Sequence, residues 1–137
     1  MNIKGEVYLP EDKQPALRVI PMPSDTNSSG DIFGGWIMSQ VDLAGSVAAT
    51  RRAKGRVVTV AVREFQFHQP VFVGDIVSCY ADIQRVGKTS ITVFVEVYVE
   101  RKRSEDEVIK VTEATVTYVA VDELRRPRTV DEPPEAK

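Results

Sequence analysis

Between residues 88 and 101 apolar and polar side chains alternate, with Ile91, Val93, Val95, Val97 and Val99 on one parity and Ser90, Thr92, Glu96 and Glu100 on the other. A period of two puts successive side chains on opposite faces of a strand, so this segment predicts a strand with one buried face. Residues 76–86 alternate in the same way. Residues 107–121 add a further strand, with Ala114, Val116, Tyr118 and Ala120 set against Glu113, Thr115 and Thr117. Residues 56–67 differ. Val57, Ala61, Phe65 and Phe67 interleave with Val58, Val60 and Val62, apolar on both parities, which predicts a strand interior to the sheet. A short apolar run at 17–22, closed by Pro21 and Pro23, predicts an edge strand.

One segment breaks the two-residue rhythm. After a loop-like stretch at 24–31, rich in Ser, Asn, Asp and Gly, the pair Gly34-Gly35 opens a Pro-free run to Arg52 that predicts a helix. Trp36, Ile37, Met38, Val41, Leu43, Ala44 and Val47 cover most of its circumference, predicting burial on several sides. At about 1.5 Å per residue it would be roughly 25 Å long, matching a strand of seven or eight residues. Turn signals at 70–75, at Gly87-Lys88 and at 103–106 predict that consecutive strands pair as an antiparallel meander. The expected architecture is α+β, an antiparallel sheet wrapped around one long central helix.

Composition narrows the setting. The 137 residues suit a single domain spanning 1–137, with residues 1–14 and 131–137 expected as loose termini. Eighteen basic and 20 acidic residues give a net charge of -2, which disfavours a nucleic-acid binder. No stretch has the length or hydrophobicity of a secretory signal or membrane span, so a cytoplasmic protein with no membrane partner is expected. The lone cysteine, Cys79, excludes an intramolecular disulfide and falls on the apolar parity of its strand, as a core residue would. The sole histidine, His68, follows Phe65 and Phe67 at a strand end, away from the helix, and reads as structural or solvent-exposed.

Candidate chemistry gathers around the helix. Its N-terminus leaves backbone N–H groups free and carries partial positive charge, and glycines there admit a ligand to the backbone. Gly34 and Gly35 therefore read either as a carbonyl-polarising oxyanion site or as an accommodation for tight helix–sheet packing. Asp42 is the one acid within this apolar helix. Met38, Gly45 and Ser46, its neighbours at helical spacing, offer no counter-charge. A carboxylate there either faces water on a narrow strip or lines a cavity, where it suits a general base or a nucleophile. Asp25, Asn27 and Asp31 precede the helix. Asp31 is a candidate helix cap and Asn27 a turn former, unless the loop folds over a site.

The stretch Asp25-Thr26-Asn27, then Gly30-Asp31-Ile32-Phe33-Gly34-Gly35-Trp36-Ile37-Met38, then Asp42 and Gly45, closely resembles acyl-CoA thioester hydrolases of the YciA type in the hot-dog superfamily. The resemblance extends through Gly55-Arg56-Val57-Val58-Thr59, Val73-Gly74-Asp75 and Val86-Gly87-Lys88-Thr89-Ser90, and covers about residues 17–129. It implies a wrapped-helix fold, hydrolysis of acyl-CoA to free acid and CoA, and a homo-oligomer with a dimer as its unit and a trimer of dimers as its full assembly. It also implies roles: Asp42 as base or nucleophile, Asn27 supplied across an interface, amides near Gly34 and Gly35 polarising the thioester. Val58 and Thr59 would contact the pantetheine arm. Gly87, Lys88, Thr89 and Ser90 would meet the nucleotide end, although the same residues read locally as a hairpin turn with an edge lysine. No cofactor or metal is implied, since CoA is part of the substrate. Two other activities stand beside hydrolysis: a non-catalytic acyl-CoA sensor, which would not need Asp42, and an acyl-thioester hydratase, for which only His68 could be the base.

Overall fold

A computed structural model describes residues 7–102 and 106–132. Its elements run β1 (Leu17–Val19), a 3-10 turn (Pro23–Asp25), α1 (Gly34–Ala53), β2 (Val57–Phe67), β3 (Ile76–Val86), β4 (Ser90–Lys102) and β5 (Asp106–Ala120). The strands form one antiparallel sheet in the order β1-β3-β4-β5-β2. One face of the sheet packs on α1, the expected α+β arrangement.

The alternation in β4 is what builds the core. Ile91, Val93, Val95, Val97 and Val99 are all fully buried beneath the helix. Burying each such side chain stabilises the fold by roughly 1.5–3 kcal/mol. Cys79, Ala114, Val116 and Tyr118 continue the same face into β3 and β5. Cys79 is therefore a core residue, as its parity predicts.

Three expectations need correction. β2 is not interior to the sheet but its free edge, and it leaves Val58, Val60 and Val62 at 36%, 55% and 39% exposure. The helix is buried on one stripe only, Ile37, Val41, Ala44, Ala49 and Ala53, while Met38 and Leu43 face outward. Both errors have one cause: apolar residues on two faces signal a second contact surface, which in a single chain is open. The strands are also not a simple meander. β3, β4 and β5 pair in sequence, but β2 pairs with β5, so residues 68–75 carry the chain across to β3 rather than closing a hairpin.

That crossing is pinned by charge. Asp75, 3% exposed, accepts from Arg101 at Nε (3.0 Å) and Nη2 (2.8 Å), and from the Phe72 amide at 2.9 Å. Arg101 also donates to the Pro70 carbonyl and stacks over the Phe72 ring. The chain after β5 folds back in a similar way. Arg128 donates to the Ala53 carbonyl at the helix C-terminus (2.7 Å), and the Val130 amide donates to the Lys88 carbonyl (2.8 Å). The helix C-terminus, the β3–β4 hairpin and the final segment are thereby tied into one end of the molecule.

At the N-terminal side, Lys13 pairs with Asp82 and Glu96 on the outer face of the sheet. Residues 1–6 and 133–137, most of the termini expected to be loose, lie outside the described residues, as does the 103–105 part of the charged tip. No helix among the described residues is long and apolar enough to cross a membrane.

Candidate active site

Asp42 sits half-buried on α1, turned toward β2 and β5. Thr59 Oγ1 donates to its Oδ1 at 2.8 Å, and the Tyr118 hydroxyl lies 3.1 Å from the same oxygen and 2.8 Å from the main-chain carbonyl of Asp42. Both contacts converge on Oδ1. Among the described residues nothing bonds Oδ2, and no basic side chain pairs with the carboxylate. Thr59 reaches it because β2 presents alternate residues to the helix, with a bulge between Thr59 and Ala61 that bends the strand at this point. Val58, one residue earlier, faces the other side of the sheet.

The Tyr118 ring has room only because Gly45 stands opposite it. A Cβ at Gly45 would fall 2.3 Å from the Tyr118 hydroxyl oxygen. Burial, reinforced by the Asp42 carboxylate, holds the Tyr118 phenol above its ordinary pKa, so it stays protonated.

A second group of predicted residues lies at the helix start. Asn27, Asp31, Gly34 and Ile37 line an open cavity of about 390 Å³ together with Phe67, His68 and Val71. The amides of Gly34 and Gly35 find no acceptor among the described residues, leaving two donors free at the positive end of α1. Both readings of the glycine pair have a counterpart: a Cβ on Gly34 would press on the Phe67 ring at 3.2 Å, whereas Gly35 has open space around it. Asp31 does not cap the helix. Phe33 occupies the cap position without a side-chain bond, because the loop instead closes on Asn27, whose Oδ1 accepts from the Ser29 and Asp31 amides at 2.9 and 3.1 Å.

His68 is closer to the helix start than its place after β2 suggests. The 68–75 crossing turns it into the cavity wall, with Nε2 3.5 Å from Glu113. The third group, Gly87, Lys88, Thr89 and Ser90, forms the β3–β4 hairpin: the Gly87 amide donates to the Ser90 carbonyl, and Lys88 is exposed at the tip. Within one chain the three groups remain separate. Asn27 and Asp42 do not touch, and Asp42 does not line the cavity at the helix start.

Sequence reasoning missed Tyr118 as a partner of Asp42. The available signal was a phenol on an apolar parity, which needs a buried hydrogen-bond partner, matched to a glycine on the facing helix. The resemblance implies only a ligand contact for Thr59, and its bond to Asp42 links positions that no local periodicity connects.

One long helix packed on a five-stranded antiparallel sheet is the arrangement of a hot-dog domain, here with a carboxylate on the helix and free amides at its start. The family model described as "Thioesterase superfamily" matches residues 29–105, more than half of the chain, and the chain belongs to that superfamily. An uncharacterized acyl-CoA thioester hydrolase of Buchnera aphidicola is 50% identical over 132 residues, covering 95% of this chain and 96% of its own. The acyl-CoA thioester hydrolase YciA of Escherichia coli is 49% identical over 116 residues, covering 83% and 88%. Among solved structures, a hexameric hotdog fold thioesterase of Campylobacter jejuni superposes with a TM-score of 0.85 at 47% identity, covering 88% of this chain and 92% of that one.

Proposed function

We propose that this protein hydrolyses acyl-CoA thioesters to the free acid and CoA, with Asp42 as general base. The observation that carries the reading is the state of the Asp42 carboxylate. Oδ1 is held by Thr59 and faces the Tyr118 hydroxyl, while among the described residues Oδ2 has no partner and no cation neutralises it. An oriented carboxylate with one free oxygen is what is needed to take a proton from water as that water attacks a thioester carbonyl. The attack forms a C–O bond and places charge on the carbonyl oxygen. Amides at a helix start such as Gly34 and Gly35 would receive it, each such donor being worth about 3 kcal/mol. Collapse breaks the C–S bond, and the CoA sulfur leaves with the proton carried by Asp42. The names of relatives at about half identity, acyl-CoA thioester hydrolases, support the substrate class.

The working unit is a homo-oligomer, a dimer completed by Asn27 of the partner subunit and assembled further as a trimer of dimers. The open apolar surface of β2 and of the outer helix face supports this, as does the hexameric state named for the Campylobacter jejuni relative. Val58, Thr59 and the 87–90 hairpin remain the proposed track for the CoA arm and nucleotide, with Lys88 as a phosphate counter-charge. The cytoplasm, as a compartment that holds CoA esters, is the one that fits this substrate.

Asp42→Asn keeps the shape and the hydrogen bonds of the side chain but removes the base. Thiol release from acyl-CoA should fall by at least about a hundredfold. Turnover near wild type in a folded, assembled variant overturns the assignment. Single turnover in labelled water distinguishes the base from a nucleophile, because only attack by Asp42 itself leaves label in its own carboxylate.

A further inference from the structure

We propose that Tyr118 is the positioning residue of the catalytic carboxylate and that Gly45 is the gap in the helix that lets it act. The inference rests on the reading of Asp42 as general base. The Tyr118 hydroxyl meets two acceptors on the same residue, the Asp42 carbonyl at 2.8 Å and Oδ1 at 3.1 Å. A phenol has one proton, so it serves one of these acceptors at a time or shares itself between them.

That choice matches the two states Asp42 must pass through. While the carboxylate is anionic, the Tyr118 proton and the Thr59 proton both turn to Oδ1, fixing the side-chain torsions and leaving Oδ2 as the oxygen that meets water. Once Oδ2 has taken the proton from water, the pull of the carboxylate weakens. The Tyr118 hydroxyl then swings its proton to the main-chain carbonyl without moving the ring. The hydroxyl is never left without a partner in a half-buried site, so the carboxylate changes charge without stranding its neighbour.

Gly45 is what allows the approach. It lies three residues after Asp42, on the same side of α1. A Cβ there would fall 2.3 Å from the hydroxyl oxygen and 3.1 Å from two ring carbons, so any side chain would push the phenol off Asp42. Tyr118 fills the helix-facing stripe of β5 between Val116 and Ala120, both fully buried, so the ring has no neighbouring space into which to retreat.

The test is Tyr118→Phe in the full chain at its native assembly, read by thiol release from acyl-CoA. Loss of orientation should lower kcat at least about tenfold while KM stays within about twofold, because the substrate contacts are untouched. Tyr98→Phe, which deletes a hydroxyl on the outer face of the sheet beside Glu96, should leave both constants unchanged. Gly45→Ala should reproduce the fall in kcat, and combining it with Tyr118→Phe should lower kcat no further than the stronger single change, as expected for residues acting through one contact. Wild-type kcat in Tyr118→Phe overturns the proposal, and so does a loss explained entirely by lower stability or broken assembly. If Asp42→Asn is inactive while Tyr118→Phe is fully active, only the positioning role fails. If Asp42→Asn is active, the reading beneath it fails as well.

Discussion

Replacing Arg101 by Met tests how much of the fold hangs on one ion pair. Arg101 bonds Asp75 through two nitrogens at 3.0 and 2.8 Å, and the two side chains are only 11% and 4% exposed. The substitution keeps much of the stem but leaves the Asp75 carboxylate buried, with the Phe72 amide as the donor that remains and the Pro70 carbonyl without its guanidinium partner. Breaking a buried pair from one side typically costs about 3–5 kcal/mol, because the surviving charge keeps its desolvation penalty. Against a total stability of roughly 5–15 kcal/mol this is a large fraction. It corresponds to a drop in Tm of about 10 °C or more for a domain of this size. Urea unfolding followed by the fluorescence of Trp36, at fixed protomer concentration because assembly adds to stability, measures it. Removing both charges, as in Arg101→Met with Asp75→Leu, should recover part of the loss. The loss should also reach the site, since the pinned segment supplies the Val71 carbonyl that bonds Ile32 just before the helix. A destabilisation below about 1 kcal/mol would refute the reasoning.

Burial pushes the Cys79 thiol up to about 12, so the native protein should not react with a disulfide reagent at pH 8, and should expose one thiol per chain on denaturation; rapid native labelling would contradict this. The same shift makes stability fall with alkali. Between about pH 9 and 12 the unfolded thiol releases its proton while the folded one retains it, so the slope is negative, at most about 1.4 kcal/mol per pH unit for this group. Cys79→Ala should flatten that slope in denaturation curves at pH 9 to 11. On the open edge of the sheet, Val62→Glu places a charge on a strand that is apolar on both faces; sedimentation should show smaller species and the thiol-release assay a matching loss, with the far-ultraviolet spectrum retained.

How much of this was legible in the chain follows from the range of each interaction. β4 could be read residue by residue because one face is buried and the other is not, and the two parities say so directly. The helix announced itself by its length without proline. β2 misleads because a strand apolar on both faces has the same pattern whether its second face is covered by its own chain or awaits another surface. The crossing at 68–75 resembles a hairpin in sequence because its Pro and Gly-Asp are turn residues in either role; what decides is the ion pair between Asp75 and Arg101, 26 residues apart. The setting of Asp42 lay further out of reach. Thr59 and Tyr118 are 17 and 76 residues away and meet it only after the sheet has closed over the helix.

Distances along the helix bear on how the proposed site works. Asp42 follows Gly34 by eight residues, about 12 Å of helical rise. Under the proposed mechanism, water activated by the carboxylate attacks a carbonyl whose oxygen lies on the amide donors, with each contact near 3 Å, so base and donors would have to stand within roughly 6–8 Å of one another. One helix therefore does not present both groups to one thioester, and Asn27, beside the donors, shares their distance from Asp42. In the proposed dimer, a twofold axis would solve the geometry by setting the helix start of one chain against the carboxylate of the other, giving two composite sites per dimer. The consequence is complementation. Asn27→Ala and Asp42→Ala, each strongly impaired alone, should regain activity when unfolded together and refolded as a mixture. Half of the randomly formed dimers then pair one variant with the other and contain one site with both residues intact, so about a quarter of wild-type turnover should return. A mixture no more active than its parents would mean that each chain builds its own site, and the 12 Å separation would then need a substrate-driven rearrangement of the helix start.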